Sequence, residues 1–405
     1  MNSEASGISQ QSPRERYTLF RAMGLNLNLT RGKPSTEQLD ICTKMLQYGG
    51  IRADDRSDCR NYGYLEGLPE ARTLFGQYLG VPADNTFALG NSSLSIMHDL
   101  VVQMVLRPIT DTLGENPTMI CPVPGYDRHH AICEKYGIKM LTVQMKEDGP
   151  DMDVVQKLIE DNNIIGMWCI PKYSNPSGIT YSHEVCRKLA RLKAGKGFRL
   201  FWDLAYQVHD LEEVGDVLPN MFELCREAGN EDRVFLIGST SKITFAGAGV
   251  AMLGASIRNL DWFGESLATQ TIGPDKLNQL RHVRLLKDME GIRQLMARHR
   301  RIIKPKFDAV GEILTRRLGG SGIAWWNKPR GGYFVSLYVE PGCAKLVVKL
   351  AAEIGVKLTP AGSAFPYDDD PNDSHIRIAP TYPPLDEVRQ AMEAVAVCVQ
   401  IAAEE

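Results

Sequence analysis

The 405-residue sequence predicts an α/β protein with a mostly parallel central sheet, joined to a smaller α+β unit. Three observations carry that prediction. From about residue 70 to 260, short apolar runs alternate with amphipathic stretches, the rhythm of strand–helix–strand units. Runs such as Ile164–Ile170 and Val234–Ile237 are apolar at nearly every position, as strands buried on both faces must be. After about residue 306 the rhythm changes, and Gly331–Leu337 and Ser374–Ala379 read as strands of a second unit. A chain this long is also expected to divide its core between two subdomains.

Residues 1–20 are polar and are expected to be loose before the chain docks. They contain no apolar stretch resembling a signal peptide. Thr86–Leu89 reads as a strand and runs into Gly90-Asn91-Ser92-Ser93-Leu94, then a helical stretch from Ser95 to Leu106. Such a turn presents free backbone N–H groups at a helix start, where they favour a phosphate; a plain helix cap would look the same. Met119–Cys121 and Lys139–Val143 are further strands.

Ile164–Ile170 leads into Pro171-Lys172-Tyr173-Ser174-Asn175-Pro176-Ser177-Gly178, ordinary turn chemistry when read alone. Phe198–Trp202 leads into Asp203. An acid at the end of a buried strand costs free energy unless it has a partner, which could be a helix start, a cation or a protonated pyridine nitrogen. Val234–Ile237 leads into Gly238-Ser239-Thr240-Ser241-Lys242. Burial there would depress the lysine pKa and free the amine to attack a carbonyl, although a phosphate-binding or surface lysine would look similar. Val250–Leu253 completes the run of strands.

Leu280 to about Lys306 reads as one long helix, with Leu285, Met289, Ile292 and Met296 on one stripe. It carries nine Lys/Arg and two acids. The rest of the chain is slightly acidic, so a solvated helix linking two subdomains is expected rather than a nucleic-acid surface.

Composition excludes several classes. The net charge of −3 gives no general attraction to nucleic acid or acidic membranes. No apolar run approaches a membrane span. Nine scattered cysteines form no C-x-x-C pair, and their odd number argues against a complete disulfide framework. A reducing, cytoplasmic compartment is expected.

The loops carrying Asn175, Asp203 and Lys242 are separated by 28 and 39 residues, one crossover unit each. Open α/β sheets bind ligands outside the carboxyl ends of their strands, so all three loops would open onto one crevice. In these residues, and over nearly its whole length, the chain resembles the fold type I pyridoxal-5′-phosphate (PLP) aminotransferases, class I. It looks closest to a divergent bacterial branch of aspartate aminotransferases, through Leu29-Thr30-Arg31-Gly32-Lys33-Pro34, Gly90-Asn91-Ser92-Ser93-Leu94 and Thr271-Ile272-Gly273-Pro274-Asp275-Lys276.

That resemblance implies an N-terminal segment (1–48) joining the small domain, a large PLP-binding domain (49–300) and a C-terminal small domain (301–405). It implies that Lys242 forms the Schiff base with PLP and shuttles a proton. Asp203 would hold the pyridinium N–H, while Asn175 and Tyr206 would bond the phenolic oxygen. Asn91, Ser92, Ser93 and Ser239 would contact the phosphate, and Tyr126 would stack on the ring, since Val123 stands where relatives often have Trp. Tyr62, five residues before Gly67, would reach the phosphate of a neighbouring subunit, which implies a homodimer. Arg377 would clamp the substrate α-carboxylate, with Asn175 and the backbone of Gly32 beside it. Lys33, Arg31 and Lys276 are candidates for a distal carboxylate.

One position departs from the family pattern. Relatives carry a phosphate-binding Arg eight residues after the lysine, whereas this chain has Val250. The implied reaction moves an amino group between an amino acid, aspartate first, and 2-oxoglutarate, by a ping-pong route through pyridoxamine phosphate. A PLP lyase or a broader aminotransferase could keep the same core residues. A PLP-binding transcription regulator would need a DNA-binding module ahead of the Leu25–Pro34 segment, where only about 20 residues stand.

Overall fold

The computed structural model describes residues 11–109, 116–161 and 163–405. Thirteen strands are numbered here in chain order: β1 Leu27–Asn28, β2 Thr86–Ala88, β3 Thr118–Val123, β4 Lys139–Lys146, β5 Gly149–Pro150, β6 Ile164–Cys169, β7 Arg199–Asp203, β8 Val234–Ser239, β9 Ala251–Gly254, β10 Ala324–Trp326, β11 Val335–Val339, β12 Val356–Lys357 and β13 His375–Ile378.

The central sheet has eight strands in the order β2-β9-β8-β7-β6-β3-β4-β5. Strands β4, β3, β6, β7 and β8 are mutually parallel. β9 runs against β8, and β2 against β9, so β2 points the same way as the parallel set. β3, β6, β7 and β8 are buried at every position, as parallel strands covered on both faces must be. The carboxyl ends of β2, β3, β6, β7 and β8 therefore share one edge of the sheet. The turn after each of them carries residues singled out by the sequence.

A second core forms where the two ends of the chain meet. Leu27 and Leu29 pack with Val310 and Ile313 of helix Met289–Leu318, with β11 and β13, and with Val395 of helix Leu385–Ala402. β1 pairs in parallel with β12, Leu27 opposite Val356. At the entrance to β12, Gly355 has φ +83°, and an added Cβ would lie 1.8 Å from the Leu25 carbonyl oxygen; only glycine fits. β10, β11 and β13 form an antiparallel three-stranded sheet. This is the α/β fold with a smaller α+β part assembled from the N-terminal segment and the C-terminal part.

Local boundaries differ from expectation at four places. The N-terminal region is not loose from residue 13 onward: helix Pro13–Ala22 is closed by a Ser12–Glu15 capping box and ties to the C-terminal helix through Arg16 and Gln400. The helix after β2 starts at Ser93, not Ser95. The expected single helix over 280–306 is two, Lys276–Leu286 and Met289–Leu318. Lys287 has φ +63°, and the Asp288 carboxylate accepts the Gly291 N–H to cap the second helix, an N-cap signal hidden inside the apolar stripe. β11 starts at Val335 rather than Gly331, because Gly331 and Gly332 lie flat against the Tyr173 side chain, where a Cβ at Gly331 would meet the ring at 2.1 Å. Part of the basic stretch is internal: Lys306 is buried and donates to the Thr381 carbonyl at 2.9 Å.

Candidate active site

A cavity of about 560 Å³ opens at the strand ends. Its walls include Lys242, Asp203, Tyr206, Asn175, Tyr126, Ser93, Gly32, Lys33 and Arg377. Nine of the residues expected at the site, drawn from seven stretches of chain, are thus brought to one space.

Asp203 ends β7 and is buried. Its Oδ1 accepts the Ala205 N–H at 3.0 Å. On its other side His129 Nε2 lies 3.6 Å from Oδ2, too far for a hydrogen bond, and that nitrogen has no other partner. His129 is itself fixed by stacking on Trp168, with ring centroids 4.2 Å apart and planes 9° from parallel. A buried carboxylate with one accepted bond and a facing imidazole has lone-pair capacity left over for a donor in the cavity.

Lys242 keeps partial exposure toward the cavity, while its amine lies among protein atoms and is pushed below the ordinary lysine pKa by desolvation, an effect that the Asp203 charge partly offsets. The amine stands over the Tyr206 ring, 4.9 Å from its centroid. The backbone of Lys242 is anchored from below. Its carbonyl accepts from His209 Nε2 at 3.3 Å and from the Tyr333 hydroxyl at 3.5 Å. Tyr333 in turn accepts from Gln38, whose amide also meets His299. Tyr206 is buried, and burial drives its hydroxyl well above the usual phenol range. Burial likewise pushes Tyr126 up to about 12; its ring meets His129 edge-on at 5.0 Å.

Arg377 on β13 is buried, not solvated as an arginine on an alternating strand usually is. Its Nη1 donates to Asp127 Oδ1 at 3.0 Å and approaches Asn175 Oδ1 at 3.5 Å, while Nη2 approaches Thr359 Oγ1 at 3.5 Å. Its Nε has no partner. Phe334 covers the guanidinium at 5.1 Å, and Gly32 packs on that ring: an added Cβ would lie 2.5 Å from Phe334 Cζ.

The remaining expected contacts lie beside the cavity. The Ser239 hydroxyl donates to Ser241, and Ser241 donates to the Asn91 carbonyl. Asn91 donates to Gly247. The turn after β2 and the lysine loop thus form one hydroxyl-rich ledge, with Ser92 as the cap of helix Ser93–Leu106. Val250 is buried in the core, so no cation occupies that place. Tyr62 is 79 % exposed and does not line the cavity of its own chain. Lys276 is buried and donates to the Gly63 carbonyl at 3.0 Å; it too is absent from the cavity wall. Lys33 does line the cavity, with its amine 3.6 Å over the Tyr382 ring.

Sequence reasoning missed Asp127, Arg128, His129, Phe334 and Thr359. The first three open helix Asp127–Lys135, where a run of polar residues reads as a solvated helix start. The only available signal was their place directly after Tyr126.

The arrangement fits PLP. A desolvated amine and a buried carboxylate with spare capacity line one cavity, an aromatic ring stands between the strand ends, and a 14-residue helix starts at the hydroxyl ledge, where a phosphate is favoured.

Comparisons with known proteins agree. The family model described as aspartate amino-transferase matches residues 1–405. A Mycolicibacterium smegmatis protein named only as an aminotransferase is 49% identical over 401 residues, covering 96% of this chain and 94% of its own. An aspartate aminotransferase of Corynebacterium glutamicum is 41% identical over 413 residues, covering 100% of this chain and 96% of its own. A crystal structure of an aspartate transaminase from the same species superposes with a TM-score of 0.94 at 41% identity, over 100% of this chain and 97% of that one.

Proposed function

The chain belongs to the aspartate aminotransferase family and is a PLP-dependent aminotransferase, and from that premise we propose that it exchanges an amino group between aspartate and 2-oxoglutarate in a ping-pong cycle. The observation that carries this reading is the single cavity shared by the Lys242 amine, the Asp203 carboxylate and the Arg377 guanidinium. When bound, PLP supplies an electron sink that acidifies the amino acid's α-C–H and stores the amino group between half-reactions.

The protein's own groups orient and move protons. Arg377 receives the α-carboxylate through a bidentate fork, with Asn175 beside it. Lys242, whose amine desolvation holds below the ordinary lysine pKa, would form the covalent link to the cofactor as a free amine. Once free, its Nζ would be placed to take the α-proton as a base and give it back as an acid. Asp203, oriented by the Ala205 N–H on its Oδ1, would hold the proton on the pyridine nitrogen. Asn175 and Tyr206 would bond the phenolic oxygen. Asn91, Ser92, Ser93 and Ser239 would hold the phosphate.

A dicarboxylate needs a second cation. Arg31 and Arg128 line the cavity without a side-chain hydrogen bond or ion pair among the described residues, so Arg128 joins Arg31 and Lys33 as a candidate, while Lys276 is buried and held by the Gly63 carbonyl outside the cavity wall. The exposed Tyr62 and Ile272 (79 % and 61 %) lie on touching loops, which supports a homodimer in which Tyr62 completes the neighbour's site. Eight of the nine free cysteines are buried, consistent with a cytoplasmic enzyme.

The deciding experiment is a panel of amino donors with 2-oxoglutarate, following each half-reaction by absorbance. Aspartate should react fastest. Elimination products without transfer would point instead to a lyase.

A further inference from the structure

We infer that Asp127 is a tethered occupant of the α-carboxylate clamp, which sits on Arg377 until a substrate carboxylate takes its place. The inference rests on reading Arg377 as that clamp. A guanidinium as buried as Arg377 costs free energy without a counter-charge. Among the described residues, Asp127 is the only carboxylate ion-paired with it. The other groups around it are the neutral Asn175 and Thr359, both at 3.5 Å, and the Phe334 ring.

A substrate carboxylate gripped end-on by the fork uses both η nitrogens, while the unpartnered Nε offers only the side edge. Asp127 already holds Nη1, and Asn175 and Thr359 contact the η nitrogens only at hydrogen-bond limits. Two carboxylates crowded on one guanidinium repel each other, which favours release of the more exposed one. Arg377 cannot retreat, because it is 7 % exposed inside β13. The Asp127 side chain is 31 % exposed and lines the cavity, so it can turn to water. It is also the first residue of helix Asp127–Lys135, where the helix start favours a carboxylate, so release leaves it in a tolerable place. A dicarboxylate then binds by exchange of ion pairs rather than by simple addition. Asp127 sets the threshold affinity a ligand must exceed, which makes it a specificity-determining residue rather than a catalytic one. A purely positioning Asp127, one that aims Arg377, would give the opposite sign on removal.

Succinate is a suitable probe because it carries the two carboxylates and no reactive amine. Its affinity for the PLP-loaded protein is measured by calorimetry for wild type, Asp127→Asn, Asp127→Ala, Arg377→Leu and the Asp127→Asn/Arg377→Leu double variant. Asp127→Asn should bind succinate roughly twofold to fivefold tighter, the scale of one part-exposed ion pair, and Asp127→Ala at least as tightly. In the Arg377→Leu background the Asp127 change should have no effect. Equal or weaker binding by both Asp127 variants, with wild type still binding, overturns the tethered occupant alone. Indifference of succinate binding to Arg377→Leu overturns the clamp reading and the inference with it.

Discussion

Replacing Arg377 with Leu should weaken amino-acid binding far more than it disturbs the cofactor. The guanidinium offers a substrate carboxylate two charge-assisted hydrogen bonds, each worth about 1.5–3 kcal/mol. Against that stands the Asp127 ion pair, part-exposed and worth up to about 1 kcal/mol. The net loss is about 2–5 kcal/mol, a rise in apparent dissociation constant of roughly thirtyfold to a few thousandfold. In the variant, Asp127 loses its counter-charge but can rehydrate, since its side chain faces the cavity. The fold should survive, because leucine suits a strand whose neighbours Ile376 and Ile378 are buried. The assay is the single-turnover half-reaction with aspartate, reading saturation by absorbance, with the visible spectrum of bound PLP as control. A change in half-saturation below threefold with an unaltered spectrum would refute the clamp.

The other expectations are briefer. Lys242→Ala should abolish transamination and remove the borohydride-reducible link to PLP; retention of either contradicts the lysine's role. Mixing Tyr62→Ala chains with Lys242→Ala chains should restore activity through mixed dimers, each with one intact shared site; no recovery in mixtures shown to exchange subunits argues against sharing. Burial holds His130, His282, His299 and His375 at about 4 and His209 at about 3. The unfolded chain binds more protons than the folded one between about pH 6.5 and 4, so stability is full above that window and falls with pH inside it, by on the order of 1 kcal/mol per histidine at pH 5.5. A urea midpoint unchanged from pH 7.5 to 5.5 would contradict this.

The strands were legible because parallel strands covered on both faces are largely apolar, as β6, residues 200–202 of β7 and residues 234–237 of β8 are. Asn175, Asp203 and Lys242 stood out because each interrupts such a run at its carboxyl end, where a polar residue needs a reason. Asp127 and His129 had no such contrast. They lie among Asp127-Arg128-His129-His130, and helical periodicity gives no hint that His129 turns inward onto Trp168 while Arg128 stays exposed. Arg377 alternates with Ile376 and Ile378 as a surface residue would. It is buried by tertiary packing: Phe334 covers it and Gly32 packs on that ring, from segments 43 and 345 residues away in sequence. The break at Lys287 escaped for a related reason: the apolar stripe keeps its phase across it, and periodicity is blind to a single residue in a left-handed conformation.

The substitution at position 250 bears on how this site balances charge. An arginine there would bring a compact cation to the phosphate. Val250 instead packs into the core behind the lysine loop, with its N–H given to the Thr240 hydroxyl, so the loop is held by neutral contacts. The positive charge sits elsewhere on the cavity. Arg31, Lys33, Arg128 and Arg377 face Asp127 and Asp203, an excess of two cations even without Lys242, in a chain whose net charge is −3. A concave site of opposite sign to its protein focuses anions, and here that field is weighted toward the substrate mouth rather than the phosphate ledge. Hydroxyls and a helix start bind a phosphate through aligned dipoles, which fall off faster with distance than a full charge does. With the proposed phosphate contacts, cofactor retention should therefore depend more on the close fit of Ser92, Ser93 and Ser239 than it would with an arginine in place. In the proposed homodimer, with Tyr62 completing the neighbour's site, dimer dissociation and cofactor loss would be coupled events.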